Sequence, residues 1–193
     1  GAKHFSLPIA KKNFLAIKQY KNLRDIYREF KPDIIHVRSR FPAWINVLAL
    51  KGLSSSKPIV ISTFHGLYSK PFYSKSMSYA NDIIAISKTV QEYVFKNYDV
   101  DHSRVHLIYR GCDIDEFNTS APSEAWSNSW YKEFPQTSDK ILLTLPGRIT
   151  GWKGIEDFLK LLSQLDQAKY HGLIPGPVNE NKKRYFQSLL ALV

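Results

Sequence analysis

The chain has 193 residues, 44% of them hydrophobic and 13% aromatic, enough to build one ordinary domain or two small ones and too apolar for a disordered chain. A net charge of +10 favours anionic partners, whether nucleic acid, a phosphorylated substrate or an acidic lipid surface, without choosing among them. One cysteine, Cys112, excludes an internal disulfide, and six dispersed histidines offer no ligand cluster, so no metal is expected and a reducing compartment is the easier fit.

Residues 5–8 read as a short edge strand ended by Pro8. Over residues 13–30, Phe14, Ile17, Leu23, Ile26, Tyr27 and Phe30 recur at mostly helical spacing among Lys18, Lys21, Arg24 and Arg28. That amphipathic helix has a basic face suited either to solvent or to anionic lipid. Pro32 stops it, and residues 33–37 form a short buried strand. Arg38, Ser39 and Arg40 then lie beyond the strand's carboxyl end, which in an open parallel sheet faces the ligand crevice. Arg38 and Arg40 are therefore candidate ligands for a charged acceptor, with solvated loop charges as the alternative.

Residues 42–50 suit a helix ended at Gly52, and residues 57–64 an internal strand rich in β-branched side chains. His65 and Gly66 follow at the strand's end. A histidine there hydrogen-bonds a sugar or phosphate, or is simply a satisfied core residue, while Gly66 leaves room for substrate. Tyr68 and Tyr73 pack or stack on a sugar ring. Residues 82–86 form a strand, Ser87 caps a helix over residues 88–97, and residues 104–109 form another strand before the turn Arg110-Gly111-Cys112-Asp113. Residues 119–139, rich in Ser, Thr, Asn and Pro, form a connector with one short helix bearing Trp126, Trp130 and Tyr131. A weak strand over residues 170–174, a Pro-Gly-Pro turn at 175–177 and a helix over residues 179–192 close the chain.

Between connector and weak strand lies the most informative stretch. Leu143-Thr-Leu-Pro ends a strand, Gly147, Arg148, Gly151, Trp152, Lys153 and Gly154 make a cationic glycine-bounded loop, and Ile155, Phe158, Leu159 and Leu162 mark the buried face of a helix. A helix entered this way presents unpaired amides above the strand's carboxyl end, an anion site to which Arg148 and Lys153 add two full charges. A diphosphate is a natural guest. The spacing is neither that of a P-loop nor a Gly-x-Gly-x-x-Gly fingerprint.

Gly147-Arg148-x4-Lys153-Gly154 before an apolar helix resembles the donor-phosphate loop of the GT-B retaining glycosyltransferases of family 4. Lys31-Pro-Asp33-Ile-Ile-His36, Ser62-Thr-Phe-His65-Gly66, and Asn81-Asp-Ile-Ile-Ala-Ile-Ser87-Lys88 leading to Tyr109-Arg-Gly111-Cys-Asp113 agree with that family in order. Family members commonly have Asn where Arg110 stands.

The resemblance implies an α/β fold of two Rossmann-like parallel-sheet domains. Residues 1–119 would form the acceptor-side domain, 120–139 a connector and 140–193 the start of the donor domain. It implies transfer of a sugar from a nucleotide-sugar to an acceptor hydroxyl with retention. His65, Arg148 and Lys153 would be catalytic, Gly147, Arg148, Lys153 and Gly154 would hold the donor phosphates, and Arg38, Arg40 and Gly66 would meet the acceptor. No metal or cofactor is required, because the protein supplies the cations. The family's opening strand with its glycine-rich loop, and its later acidic pair, have no counterpart here. The chain is therefore expected to be the middle of a longer enzyme, inactive alone, with exposed sheet edges and a tendency to oligomerise.

The basic surface suggests a carbohydrate or lipid-linked acceptor in bacterial envelope polysaccharide or lipopolysaccharide synthesis, with a cytoplasmic protein peripheral to an anionic membrane. The apolar runs are shorter than the about 20 residues of a membrane span, and no signal peptide is visible. A basic nucleic-acid-binding module or a non-catalytic homologue are the competing readings. No specific nucleic acid is expected, since the basic residues are scattered and no recognition motif occurs.

Overall fold

The computed structural model describes residues 2–9, 14–53, 57–68 and 71–192. The chain divides into two compact units, Gly1–Phe117 and Asn118–Val193.

In the first unit, helices α1 (Phe14–Lys18) and α2 (Tyr20–Phe30) precede strand β1 (Ile34–Val37) and helix α3 (Arg40–Leu50). Strand β2 (Ile59–Phe64), the short helix α4 (Pro71–Ser74), strand β3 (Asp82–Ala85), helix α5 (Lys88–Asn97) and strand β4 (Val105–Leu107) follow. The strands pair in the order β1-β2-β3-β4, all parallel. Parallel neighbours need crossover connections, so each strand's carboxyl end emerges at the same edge.

The core forms where the sheet's runs of apolar and β-branched residues meet the covering helices. Val60 and Phe64 of β2 and Ile83 and Ala85 of β3 are buried together with Ala43, Met77, Val90 and Val94. Ser62, buried in the middle of β2, satisfies its hydroxyl by donating to the Met77 carbonyl at 2.7 Å.

Three expectations change. Residues 5–8 carry no strand; Phe5 instead meets Phe30 edge-on, with ring centroids 6.4 Å apart. The predicted helix over residues 13–30 is broken at Gln19, whose amide bonds the Ala16 carbonyl three residues back; its first residue, Asn13, lies outside the described residues. The basic face of α2 is also not simply solvated. Arg24 donates to the Leu48 and Ala49 carbonyls at 2.9 Å each, gripping the carboxyl end of α3 where the orphan acceptors of a helix lie. Tyr27 reinforces this dock by donating to Asn46 Oδ1 at 2.8 Å. The Arg24 guanidinium occupies the space a Cβ at Gly52 would need, which gives Gly52 a packing reason beyond helix termination.

Ends set by local chemistry agree better. Lys31, before Pro32, leaves the helical region for the left-handed one at φ 49° and ψ 58° and closes α2. Ser87 caps α5, its hydroxyl accepting from the Val90 amide at 3.2 Å.

The second unit opens with α6 (Glu124–Glu133), where Trp126 and Trp130 stack at 5.6 Å. Strand β5 (Ile141–Thr144), helix α7 (Ile155–Leu162), strand β6 (Tyr170–Leu173) and helix α8 (Lys183–Leu190) follow. β5 and β6 pair in parallel. Buried Ile149, Ile155 and Leu189, with Leu145, Leu159, Ile174, Tyr185 and Phe186 against them, form a small core beneath the loop between β5 and α7. Of the residues expected in the last helix, Asn179 is extended and Glu180–Lys182 form a separate single turn before α8.

Candidate functional site

In the first unit the candidates Arg38, His65 and Gly66 sit just past the carboxyl ends of β1 and β2, and Ser87 and Arg110 follow β3 and β4 at the same edge. His65 is half-buried, and its Nδ1 lies 2.7 Å from Arg110 Nη2. A guanidinium has no acceptor, so Arg110 donates and Nδ1 accepts. Desolvation, and then the charges of Arg110, Arg38 and His36, hold the His65 pKa below its ordinary value of 6.5. The ring is thereby kept neutral at physiological pH, with Nε2–H available as a donor. His36 is itself tied to Thr63, Nε2 to Oγ1 at 2.7 Å. A Cβ at Gly66 would meet nothing within 4 Å, so the backbone there is open to approach.

The two arginines expected to meet the acceptor part company. Arg38 is exposed and has no ion-pair partner among the described residues. Arg40 is the first residue of α3, and its guanidinium lies over the rings of Tyr68 at 4.8 Å and Tyr73 at 5.1 Å. A cation so placed is partly neutralised by the ring faces, and both tyrosines serve packing here. The Tyr68 ring also lies tilted against Phe64, with centroids 5.4 Å apart, and its carbonyl accepts the Tyr93 hydroxyl at 2.5 Å. Arg40 thus lies against the Tyr68 and Tyr73 rings, and it is Arg110 that lies beside His65. Charge alone could not reveal this, because Arg110 and His65 are 45 residues apart in sequence.

In the second unit, pairing continues beyond the strands. The amides of Leu145, Gly147 and Ile149 donate to the carbonyls of Leu173, Pro175 and Pro177 at 2.8, 3.0 and 3.2 Å. This ladder carries the loop up from β5. Gly147 has φ +151° and Gly154 φ +70°, backbone shapes that favour glycine, whereas Gly151 has no such need and packs near the Tyr185 ring. A Cβ on Gly147 would lie 3.3 Å from Lys153 Cε and 3.6 Å from its Nζ. The lysine therefore folds back over Gly147, its ammonium also 4.5 Å from the Trp152 ring centroid. Arg148 is exposed, and among the described residues neither cation has a carboxylate partner.

Gly154 begins α7 without any side-chain cap, leaving first-turn amides available. Glu156 and Asp157 in that turn already answer part of the helix's positive end, so Arg148 and Lys153 are the larger attraction for an anion. Glu156 lies beside Tyr185, whose phenol is raised by burial first and by this carboxylate second.

A cavity of about 590 Å³ lined by Trp44, Val47, Lys57, Pro58 and Tyr79 lies at the opposite, amino-terminal edge of the first sheet, and no candidate residue lines it. Among the described residues no group of three His, Cys, Asp or Glu could hold a metal, and no helix is long and apolar enough to cross a membrane.

Comparison with known proteins matches residues 2–116 to the model of Glycosyltransferase Family 4; that match ends before the Arg148 and Lys153 loop. An uncharacterized glycosyltransferase of Methanocaldococcus jannaschii is 28% identical over 81 residues, 42% of this chain and 19% of that protein. Among solved structures, a glycosyltransferase of Rickettsia africae superposes with TM-score 0.76 at 25% identity, covering 99% of this chain and 50% of that one. Anabaena HepE, in complex with UDP and glucose, gives 0.73 at 16%, with coverages of 96% and 50%. The lipopolysaccharide outer core galactosyltransferase WaaB gives 0.61 at 18%, with coverages of 93% and 45%. The chain thus spans about half the length of these structures and about a fifth of the curated relative. Its parallel α/β architecture is that of GT-B glycosyltransferases.

Proposed function

This chain belongs to glycosyltransferase family 4, and from that premise we propose that the protein moves a hexosyl group from a nucleotide-sugar to an acceptor hydroxyl with retention of configuration. The observation that carries the reading is the loop between β5 and α7, where Lys153 lies across Gly147 next to Arg148 at the start of an uncapped helix. When the bond from the anomeric carbon to the diphosphate breaks, charge grows on the departing phosphoryl oxygens. Arg148, Lys153 and the first amides of α7 are donors available to that charge, and such donors act most strongly where charge develops. The UDP and glucose held by the Anabaena protein support a nucleotide-sugar donor.

His65, neutral and donating from Nε2, hydrogen-bonds the donor sugar or the acceptor oxygen, and Gly66 leaves space for it. Arg38 meets a charged group on the acceptor. We place that acceptor among carbohydrates and lipid-linked sugars of the bacterial envelope, at the cytoplasmic face of an anionic membrane. The net charge of +10 and the outer-core activity in WaaB's name support this.

The test is calorimetric titration of the intact protein with UDP and GDP. Arg148→Ala and Lys153→Ala should each weaken binding of the preferred diphosphate about a hundredfold, on the scale of about 3 kcal/mol per donor, at an unchanged melting temperature. Undiminished binding in both variants overturns the mechanism.

A further inference from the structure

At the carboxyl edge of the first sheet, the hydrogen bond from Arg110 to His65 bears on what the imidazole can offer a substrate. We propose that Arg110 is the positioning residue of this site: by donating to Nδ1 it fixes the His65 ring and its proton on Nε2, so that the imidazole meets substrate as a neutral donor rather than as an acid.

The geometry rests on two residues from different strands. His65 follows β2 directly, and Arg110 follows β4 across the intervening β3. Their side chains meet at 2.7 Å although both lie at the solvent-facing edge. An arginine is always charged and only donates, so the contact exists for one protonation state of Nδ1 alone. An imidazolium would place a second N–H donor against the first, in addition to the repulsion between two positive charges.

The other groups facing the ring act in the same sense. Arg38 and His36 come from β1 and its exit, and together with Arg110 they lower the histidine's proton affinity, while no carboxylate contributes in the opposite direction. The remaining neighbour is Tyr68, whose hydroxyl lies 3.4 Å from the His65 amide rather than on the imidazole. Arg40, the nearby cation of α3, is taken up by Tyr68 and Tyr73. Arg110 is therefore the one group among these that both touches the ring and dictates where its proton sits.

This inference rests on the proposed role of His65, but its test does not use donor binding or turnover. The intact protein, labelled with ¹⁵N in its histidine rings, is titrated by NMR, with His65→Gln identifying the signal. In the wild type, Nδ1 should show the shift of an unprotonated acceptor at neutral pH and the ring should titrate below an ordinary histidine. Arg110→Met should raise the midpoint toward the ordinary value. Arg110→Glu, which replaces a donor by an acceptor, should raise it further and bring a proton onto Nδ1. A wild-type Nδ1 already protonated at neutral pH, or the same midpoint in all three proteins, overturns the proposal. A wild-type spectrum with Nδ1 protonated overturns the proposal even if a variant fails to fold. Loss of diphosphate binding in Arg148→Ala would stand or fall separately, since it reads the second unit.

Discussion

His65 shows how a residue's environment can specify its chemistry. Its proton affinity is reduced by desolvation and by three neighbouring basic groups, so the folded protein binds this proton less readily than the unfolded chain does. Stability then depends on pH with a definite sign. Between the lowered folded value and 6.5 the unfolded state holds more protons, so stability rises with pH through that window. The contribution is intact above 6.5 and is lost as pH falls through the folded value. Denaturant midpoints measured at about pH 8 and about pH 5 should show a larger acid loss in the wild type than in His65→Gln, with Arg110→Met between them. An equal loss in all three would mean that the repulsion is fully screened by solvent.

At the scale of elements, the loops past β5 and β6 hold the second unit's candidate site in shape. Gly176 is the tightest point: a Cβ there would lie 1.9 Å from the Gly147 carbonyl oxygen and 3.2 Å from the Arg148 amide nitrogen. Neither atom belongs to a flexible side chain, so the backbone itself would have to move. Gly176→Ala should therefore cost about 3 kcal/mol, the upper end for overpacking, and should weaken diphosphate binding because the displaced backbone carries Arg148. A control at Gly66, where a Cβ meets nothing, should leave the melting temperature nearly unchanged on substitution by alanine. Equal effects from the two alanines would remove the packing argument.

The same loop shows what a sequence can and cannot reveal. The order strand, loop and helix was legible because apolar spacing, three glycines and two cations fall within one short stretch. The dependence on Gly176 was not, since it arises only when two strands distant in sequence run side by side. Arg40 and Arg110 make the same point with charge. Each reads as a loop cation, and only the packed fold assigns one to the Tyr68 and Tyr73 rings and the other to His65. The break at Gln19 was hidden as well, because apolar residues keep helical spacing on both sides of it. Residues 5–8 have strand composition, but a strand needs a partner to satisfy its amides, and composition does not supply one.

For the whole molecule, the two units differ in how much core each owns. The first buries a continuous set from Ile35 to Val105 around four parallel strands. Among its described residues the second, Asn118–Val193, has two strands and three buried hydrophobic residues, Ile149, Ile155 and Leu189. A two-stranded sheet is marginal without further packing, and small domains bury the smallest fraction of their surface. Expressed separately, residues 2–117 should therefore melt cooperatively, whereas residues 118–193 should lack a sharp transition and exchange most amides quickly. Differential scanning calorimetry and hydrogen exchange would read both outcomes. A cooperative transition in the isolated second piece would mean that the β5–β6 ladder and the aromatic packing of Trp126, Trp130 and Phe134 supply more stability than their buried area suggests. If the second piece is loose, the loop bearing Arg148 and Lys153 gains rigidity mainly when a diphosphate gathers its cations and amides. Adding the nucleotide to the intact protein should then slow exchange in residues 147–158 more than in the strands of the first unit.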